Sequence, residues 1–443
     1  MTNIVVVSRA DAAVARVVSQ FMTGADPAIV ARAPAGAGKS SLVRAAVLQA
    51  AGKKRMFVTA PTNAQIADLV EGLARAAPTL PLVVLHSAAQ NPSYRFRALS
   101  CVTCTTKADE ADSEPIVLAT LDKLAYSADK LGGRDALIVD EAYQADSAKY
   151  FHVSSLAERQ LLVGDSGQLS PFTTVDAGLW RGLAEDPLQT AVGVLLRNHP
   201  STLVVPLPIT RRLPPSAAFV AKHFYPGLDF DAATSLGDRA WLLDASNGKS
   251  TAAFDAALNE ASKSGWAHLV LPDEPVLVSD PAAVDSIVKL VTRLFQRQPQ
   301  VRCEKEQALH ALKPNQVAIA VSHTLQRDML RTVLDEANLT DVKVDTANRL
   351  QGLEFEVVIA WHPLAGLPDV DAFHLDPGRL CVMLTRHRHA CIVVGRASDA
   401  ALLDGVAPPA PAFLGYAEEP MLDGWEAHRA VLDHLARHAI ELR

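Results

Sequence analysis

The stretch APAGAGKSSL, residues 33–42, holds two glycines, a lysine and two hydroxyl side chains within seven residues. An apolar β-branched run, PAIVARA (27–33), precedes it, and an alanine-rich amphipathic run, SLVRAAVLQAA (41–51), follows. A strand, a glycine turn and a helix in that order form a phosphate-binding loop. Gly36 and Gly38 let backbone N–H groups turn toward phosphate oxygens, with Ala37 between them. Lys39 supplies a point charge, Ser40 offers its hydroxyl to Mg²⁺, and Ser41 continues the helix N-terminus. The first glycine usual in such loops is Ala33 here, which is tolerable where the backbone has negative φ. Further on, ALIVDEA (136–142) ends an apolar run on two acids. Beside a phosphate loop, Asp140 is placed to hold Mg²⁺ and Glu141 to orient or deprotonate an attacking water; alone, the pair would read as a helix cap.

These groups need strands whose ends converge. RMFVTA (55–60), PIVLAT (115–120) and RQLLVGD (159–165) read as further buried strands, with NAQIADLVEGLARAA (63–77) as an intervening helix, which predicts a parallel α/β sheet. The pattern resumes with QVAIAVSH (316–323), VKVDT (342–346), FEVVIAWHP (355–363), LCVMLT (380–385) and ACIVVG (390–395) as strands. Residues 281–298 and 325–338 have helical periodicity. Two α/β domains are expected, over 1–200 and 201–400, followed over 401–443 by a Pro-rich linker (APPAPAF, 407–413) and a C-terminal helix (424–442). Residues 87–114 are expected as a loop or short insertion, and 228–280 as mostly irregular.

The 443 residues are 49% hydrophobic and 21% charged, with a net charge of −7. That excludes a wholly basic nucleic-acid coat while leaving room for a local basic groove. No apolar run approaches the roughly 20 residues that cross a bilayer, and the first residues lack the pattern of a signal peptide, so a cytoplasmic location without membrane contact is expected. Of five cysteines, Cys101 and Cys104 form a lone C-x-x-C with no second pair at zinc-binding spacing. His387 and His389 stand two apart in LTRHRHA, a strand-face spacing, with no third ligand nearby in sequence.

After the phosphate loop come FVTAPTNAQ (57–65), LATLDKL (118–124), VDEAYQAD (139–146), LLVGDSGQLSPF (161–172), LPITRRLPPSAAFVAKHFYPG (207–227), VDTANRLQGLEFEVVI (344–359) and RLCVMLTRHRHACIVVG (379–395). In this order they resemble the motif series of superfamily 1 DNA and RNA helicases over roughly residues 25 to 396, with most likeness to the 5′-to-3′ RNA-surveillance branch and its bacterial relatives.

The resemblance implies an α/β fold of two tandem RecA-like parallel-sheet P-loop domains clamping ATP and Mg²⁺, with single-stranded DNA or RNA crossing their tops. It implies Gln168 as a sensor of the γ-phosphate coupled through Asp165, and Arg212 and Arg386 as arginine fingers. Glu354 would bind the ribose beside Gly352, Arg388 would contact nucleotide or a neighbouring motif, and Gln20 would read adenine. Thr59, Pro61, Thr62, Asn63, Thr120 and Thr346 would hold the strand's backbone, and Phe172 would stack on a base. Arg212 in a solvated turn, Thr59 and Thr346 as plain strand residues and Phe172 in a core are the competing readings. The activity implied is an ATP-driven translocase or helicase, DNA slightly favoured over RNA. The alternative is an ATP-dependent switch or assembly subunit that binds a protein partner through the C-terminal helix. A small-substrate P-loop kinase is weaker, since it has no place for two separated arginine motifs.

Overall fold

The computed structural model describes residues 4–169, 171, 180, 189–245, 251–274, 279–406 and 423–442. Eight strands form the first sheet: β1 (Ala28–Arg32), β2 (Met56–Ala60), β3 (Leu82–Leu85), β4 (Val102–Thr105), β5 (Ile116–Thr120), β6 (Arg134–Asp140), β7 (Ala157–Gly164) and β8 (Leu203–Pro206). All pairs are parallel, in the order β4-β3-β5-β2-β6-β7-β1-β8. Alternate residues feed opposite faces, as period-2 side chains must. Ile29 and Ala31 join a core with Val58, Leu161 and the helix Lys39–Ala50, while Val30 joins another with Phe57, Val139 and Leu162. Because both faces are covered, β2 is buried throughout, and its sequence reads as a continuous apolar run.

A second layer of strands follows. β9 (Ile209–Thr210) pairs with β10 (Asp231–Ala232); β11 (Ala240–Leu242), β13 (Gln300–Arg302) and β14 (His310–Ala311) form a small antiparallel sheet. β12 (Trp266–Leu271), β15 (Val317–Val321), β16 (Lys343–Thr346), β17 (Phe355–Trp361), β18 (His387–Arg396) and β19 (Ala439–Glu441) form the second large sheet. It is parallel, in the order β16-β15-β17-β18-β12-β19. Two parallel sheets, each clothed by helices, make the tandem RecA-like fold. One core cluster joins the two halves, since Ala35, Leu169, Leu213 and Tyr225 pack with Ala318, Leu380 and Val393.

Helix starts follow local chemistry. Thr62 and Gln65 form a capping box at the helix Asn63–Ala76, and Asp280 caps the helix Pro281–Gln296 with proline in its first turn.

Several expectations need correction. LCVMLT is not a strand: residues Pro377–Leu384 form a helix capped by Asp376, with Pro377 in its first turn. Its residues are buried on every side, which removes the amphipathic signal, and the Asp-Pro start is the available clue. Residues 87–114 are more than a loop, because β4 extends the first sheet's edge and a helix follows over Ala108–Asp112. The stretch 228–280 supplies the helix Ala252–Ser264 and the buried strand β12. The first sheet continues past residue 200 through β8. The terminal helix Gly424–Leu435 is built into the second half. Its Ala427, Val431 and Leu435 enter the shared core, and β19 after it pairs with β12. APPAPAF and Phe172 lie outside the described residues. Among the described residues, no helix is long and apolar enough to cross a membrane.

Candidate nucleotide site

The phosphate loop leaves the carboxyl end of β1, and Asp140–Glu141 and Asp165 leave the same ends of β6 and β7, so one sheet edge gathers the acids round the lysine. Lys39 Nζ lies 3.1 Å from Glu141 and 3.6 Å from Asp165. Burial opposes its charge, but the three neighbouring carboxylates win and hold the ammonium above its usual range. Asp140 is pushed up to about 7 by burial and then by the charge of Glu141. Glu141 itself sits at φ 53, an uncommon conformation for a side chain of its size, and accepts a 3.1 Å bond from Gln144.

Gly36 and Gly38 adopt φ of +75° and +91°. A Cβ on Gly36 would stand 2.5 Å from Arg212 Cβ and 2.6 Å from Thr210 Oγ1, so the loop and the arginine segment touch only because the residue is glycine. Ala33 is not among the positive-φ residues, which explains why alanine serves there. Two contacts that no motif discloses fix the loop. The Ala35 N–H donates to the Tyr225 hydroxyl at 3.0 Å, and Thr210 Oγ1 donates to the Ala35 carbonyl at 2.8 Å. Tyr225 also donates to Asp165 at 3.2 Å, so one phenol ties the loop to the acid cluster.

Across the loop lies a cleft of about 710 Å³, lined by Gly36, Ala37, Gly38, Lys39, Ser40, Ser41, Glu141 and Gln168 on one side and by Arg212, Gly352, Glu354, Arg386 and Arg388 on the other. Thus the structure brings together most residues singled out for nucleotide, including Lys39 and Arg386, which come from opposite ends of the motif series. Arg212 donates to Glu354 at 3.2 Å and to the Thr385 carbonyl at 3.3 Å. Arg386 is 1% exposed and donates to Thr385 Oγ1 at 2.8 Å. Burial, then the like charge of Arg212, draws its guanidinium down to about 10, so two cations share one region suited to an anion. Gln168 donates to Asp165 and accepts from Gln351 at 3.0 Å, linking the acid cluster to the segment before Gly352.

Arg239 is a positioning residue that no sequence motif singles out. Its guanidinium donates to the carbonyls of Arg212, Arg388 (2.7 Å) and Arg211 (2.8 Å), and pairs with Glu304 at 2.8 Å. One side chain therefore fixes the backbone of both arginine segments.

Other singled-out residues fall elsewhere. Gln20 does not line the cleft; its carbonyl accepts from Arg159 of β7 at 3.3 Å. Thr59 is wholly buried in β2, so it presents no surface to a strand. Pro61, Thr62 and Gln351 line a groove of about 350 Å³ with Lys149 and Asn348. Asn63 is exposed and bonds Gln90; Thr120 caps the helix Leu121–Ser127; Thr346 is 9% exposed at the end of β16. Ser40, Asp140 and Glu141 share a second groove of about 430 Å³, and their hydroxyl and carboxylate oxygens are the donor set that suits Mg²⁺.

Residues 10–198 and residues 218–398 each match a family model described as an AAA domain. No curated protein sequence matches the chain. Among solved structures, it is similar to the helicase of PRRSV, at 13% identity over 87% of this chain and 54% of that one, with a TM-score of 0.43. It is also similar to the Arterivirus nonstructural protein 10 helicase, at 14% identity over 88% of this chain. The match covers 65% of the form in complex with DNA and 64% of the other form, each with a TM-score of 0.43. The chain thus spans 54% to 65% of those helicases' length.

Proposed function

Because this chain belongs to the superfamily 1 helicase-type P-loop ATPases, we propose that it hydrolyses ATP with Mg²⁺ and uses the cycle to move on single-stranded nucleic acid. The observation that carries the reading is Arg386: a nearly wholly buried cation beside Arg212, lining the same cleft as Lys39. Arginines in that placement stabilise charge on a transferred phosphoryl group.

In this reading the loop N–H groups and Lys39 hold the β- and γ-phosphates. Ser40 and Asp140 would hold Mg²⁺, which would screen phosphate charge; Lys39 exchanges its carboxylate partners for phosphate oxygens. That frees Glu141 to orient and deprotonate the attacking water, and Arg212 and Arg386 neutralise the charge developing on the γ-phosphate. Glu354 takes the ribose hydroxyls. Gln168, held between Asp165 and Gln351, transmits loss of the γ-phosphate to the second half, so the halves draw together with ATP and part after hydrolysis.

The strand is proposed to run over Pro61, Thr62, Asn63, Thr120 and Thr346, DNA slightly favoured, from 5′ to 3′. Displacement of streptavidin from end-labelled single strands tests the direction. Release from the 3′ end is expected; release only from the 5′ end reverses it, and release from neither end overturns movement.

A further inference from the structure

We propose a second cation site, for a zinc-class ion, formed by Cys303, Glu356 and His389 on the second half beside the nucleotide cleft. Their ligand atoms all lie within 4.8 Å of one another: a thiol at the end of β13, a carboxylate on β17 and an imidazole on β18. His389 Nδ1 is 2.8 Å from Glu356 Oε2, and Cys303 Sγ is 3.6 Å from the same oxygen.

The backbone explains the convergence. Phe355 pairs with His387 but Val357 pairs with Ala390, so two residues of β18, Arg388 and His389, face the single residue Glu356. Such a bulge re-aims a side chain. Without the extra residue, His389 would not reach the carboxylate.

The imidazole's other nitrogen is held as well. Nε2 lies 3.2 Å from the Arg302 carbonyl, to which it can only donate. That bond leaves Nδ1 as a lone pair aimed at a carboxylate oxygen, acceptor against acceptor, in a side chain 3% exposed. Arg388 Nε stands 4.0 Å from the same oxygen, and a metal ion touching Nδ1, the carboxylate and the thiol sulfur would relieve the remaining clash of lone pairs. A metal-ligating histidine commonly has its second nitrogen fixed by a backbone carbonyl, and the neighbouring thiol favours the metal. Sulfur, nitrogen and one carboxylate suit Zn²⁺ better than Mg²⁺, which prefers oxygen. Cys303 and Glu356 also line the nucleotide cleft, so a water from the cleft would complete a tetrahedral set. On binding, the Cys303 thiol loses its proton to solvent as the sulfur–metal bond forms. The ion then pins β13 to β17 and β18, next to Glu354 and Arg388.

Cobalt titration of the chelator-treated full chain tests the site without ATP, so its outcome is independent of the proposed hydrolysis. Co²⁺ bound through a thiolate gives a sulfur-to-metal charge-transfer band that a site of oxygen ligands, such as Ser40 with Asp140, cannot give. The expected result is one equivalent per chain, erased by Zn²⁺, lost in Cys303→Ser and kept in Cys101→Ser/Cys104→Ser. His389→Gln should weaken binding at least tenfold while leaving the thiol in place. Absence of the band in the wild-type protein would overturn the site and assign the pair to a protonated imidazole; a band that survives Cys303→Ser would overturn it too.

Discussion

Lys39 and Glu141 stand 3.1 Å apart, the lysine that should meet phosphate paired with the acid that should meet water. Each neutralises the other, which offsets the cost of burying both charges. Lys39→Ala therefore leaves Glu141, Asp140 and Asp165 clustered without the cation that pairs directly with two of them, Glu141 and Asp165. The expected outcome is loss of ATP hydrolysis together with weaker nucleotide binding, read by steady-state turnover and by calorimetry. Glu141→Gln should separate the two functions, because the amide can no longer take a proton yet still fits beside Lys39. Nucleotide binding stays within a few-fold while turnover falls by about 10²-fold or more.

Arg386→Ala and Arg212→Ala should each lower kcat by about 10³-fold, the scale on which arginine fingers act. Arg386 is buried and Arg212 is anchored on Glu354, so Arg212→Ala should also raise KM by releasing the carboxylate proposed to take the ribose. Equal losses with unchanged KM in both variants would contradict this division.

Arg239 touches no part of the cleft's phosphate side, yet it holds the carbonyls of Arg211, Arg212 and Arg388. Arg239→Gln should reduce kcat by about 10- to 100-fold, the cost of displacing reacting groups by roughly an ångström. Nucleotide affinity measured by calorimetry should change far less. A matched loss of both would mark a folding role only.

Thr59 is fully buried and its hydroxyl has no hydrogen-bond partner. Thr59→Val keeps the shape and removes an unsatisfied polar atom, so stability should hold or rise by about 1 kcal/mol. Single-strand stimulation of turnover should be unchanged. A selective loss of stimulation would restore Thr59 to the strand-binding surface.

His268 on β12 is held neutral: burial and then the charge of His362 lower its pKa to about 4, against the opposing pull of Asp399. The unfolded chain takes up a proton near 6.5 that the fold refuses. Stability from this site is thus complete above pH 6.5 and is lost as pH falls toward 4, by about 3 kcal/mol in all. Denaturant midpoints of His268→Asn should depend less steeply on pH across that window than those of the wild type.

What the chain discloses before folding depends on how local each signal is. The phosphate loop and Asp140–Glu141 are contiguous stretches at strand ends, and a strand, turn and helix in series state their own geometry. Arg212 and Arg386 are far apart in sequence, and only the ordered motif series connects them to Lys39. Tyr225 and Arg239 act on backbone atoms of other segments, which no side-chain pattern announces. The helix Pro377–Leu384 reads as a strand because a helix buried all round has no polar face to betray its period. His389 looks ligand-poor along the chain, yet a bulge and a distant hairpin bring Glu356 and Cys303 to it. Gln20 shows the converse, a residue singled out by the resemblance that lies in the first helix and does not line the cleft.

Nucleotide turnover in this cleft is proposed to be coupled to a single strand. The direct measurement is the ATP hydrolysis rate titrated with single-stranded DNA, single-stranded RNA and duplex at one stated salt concentration. Saturable stimulation by a single strand, absent in Arg386→Ala, is the predicted result. A wild-type rate that no nucleic acid alters would contradict it and leave a nucleotide-driven switch in its place.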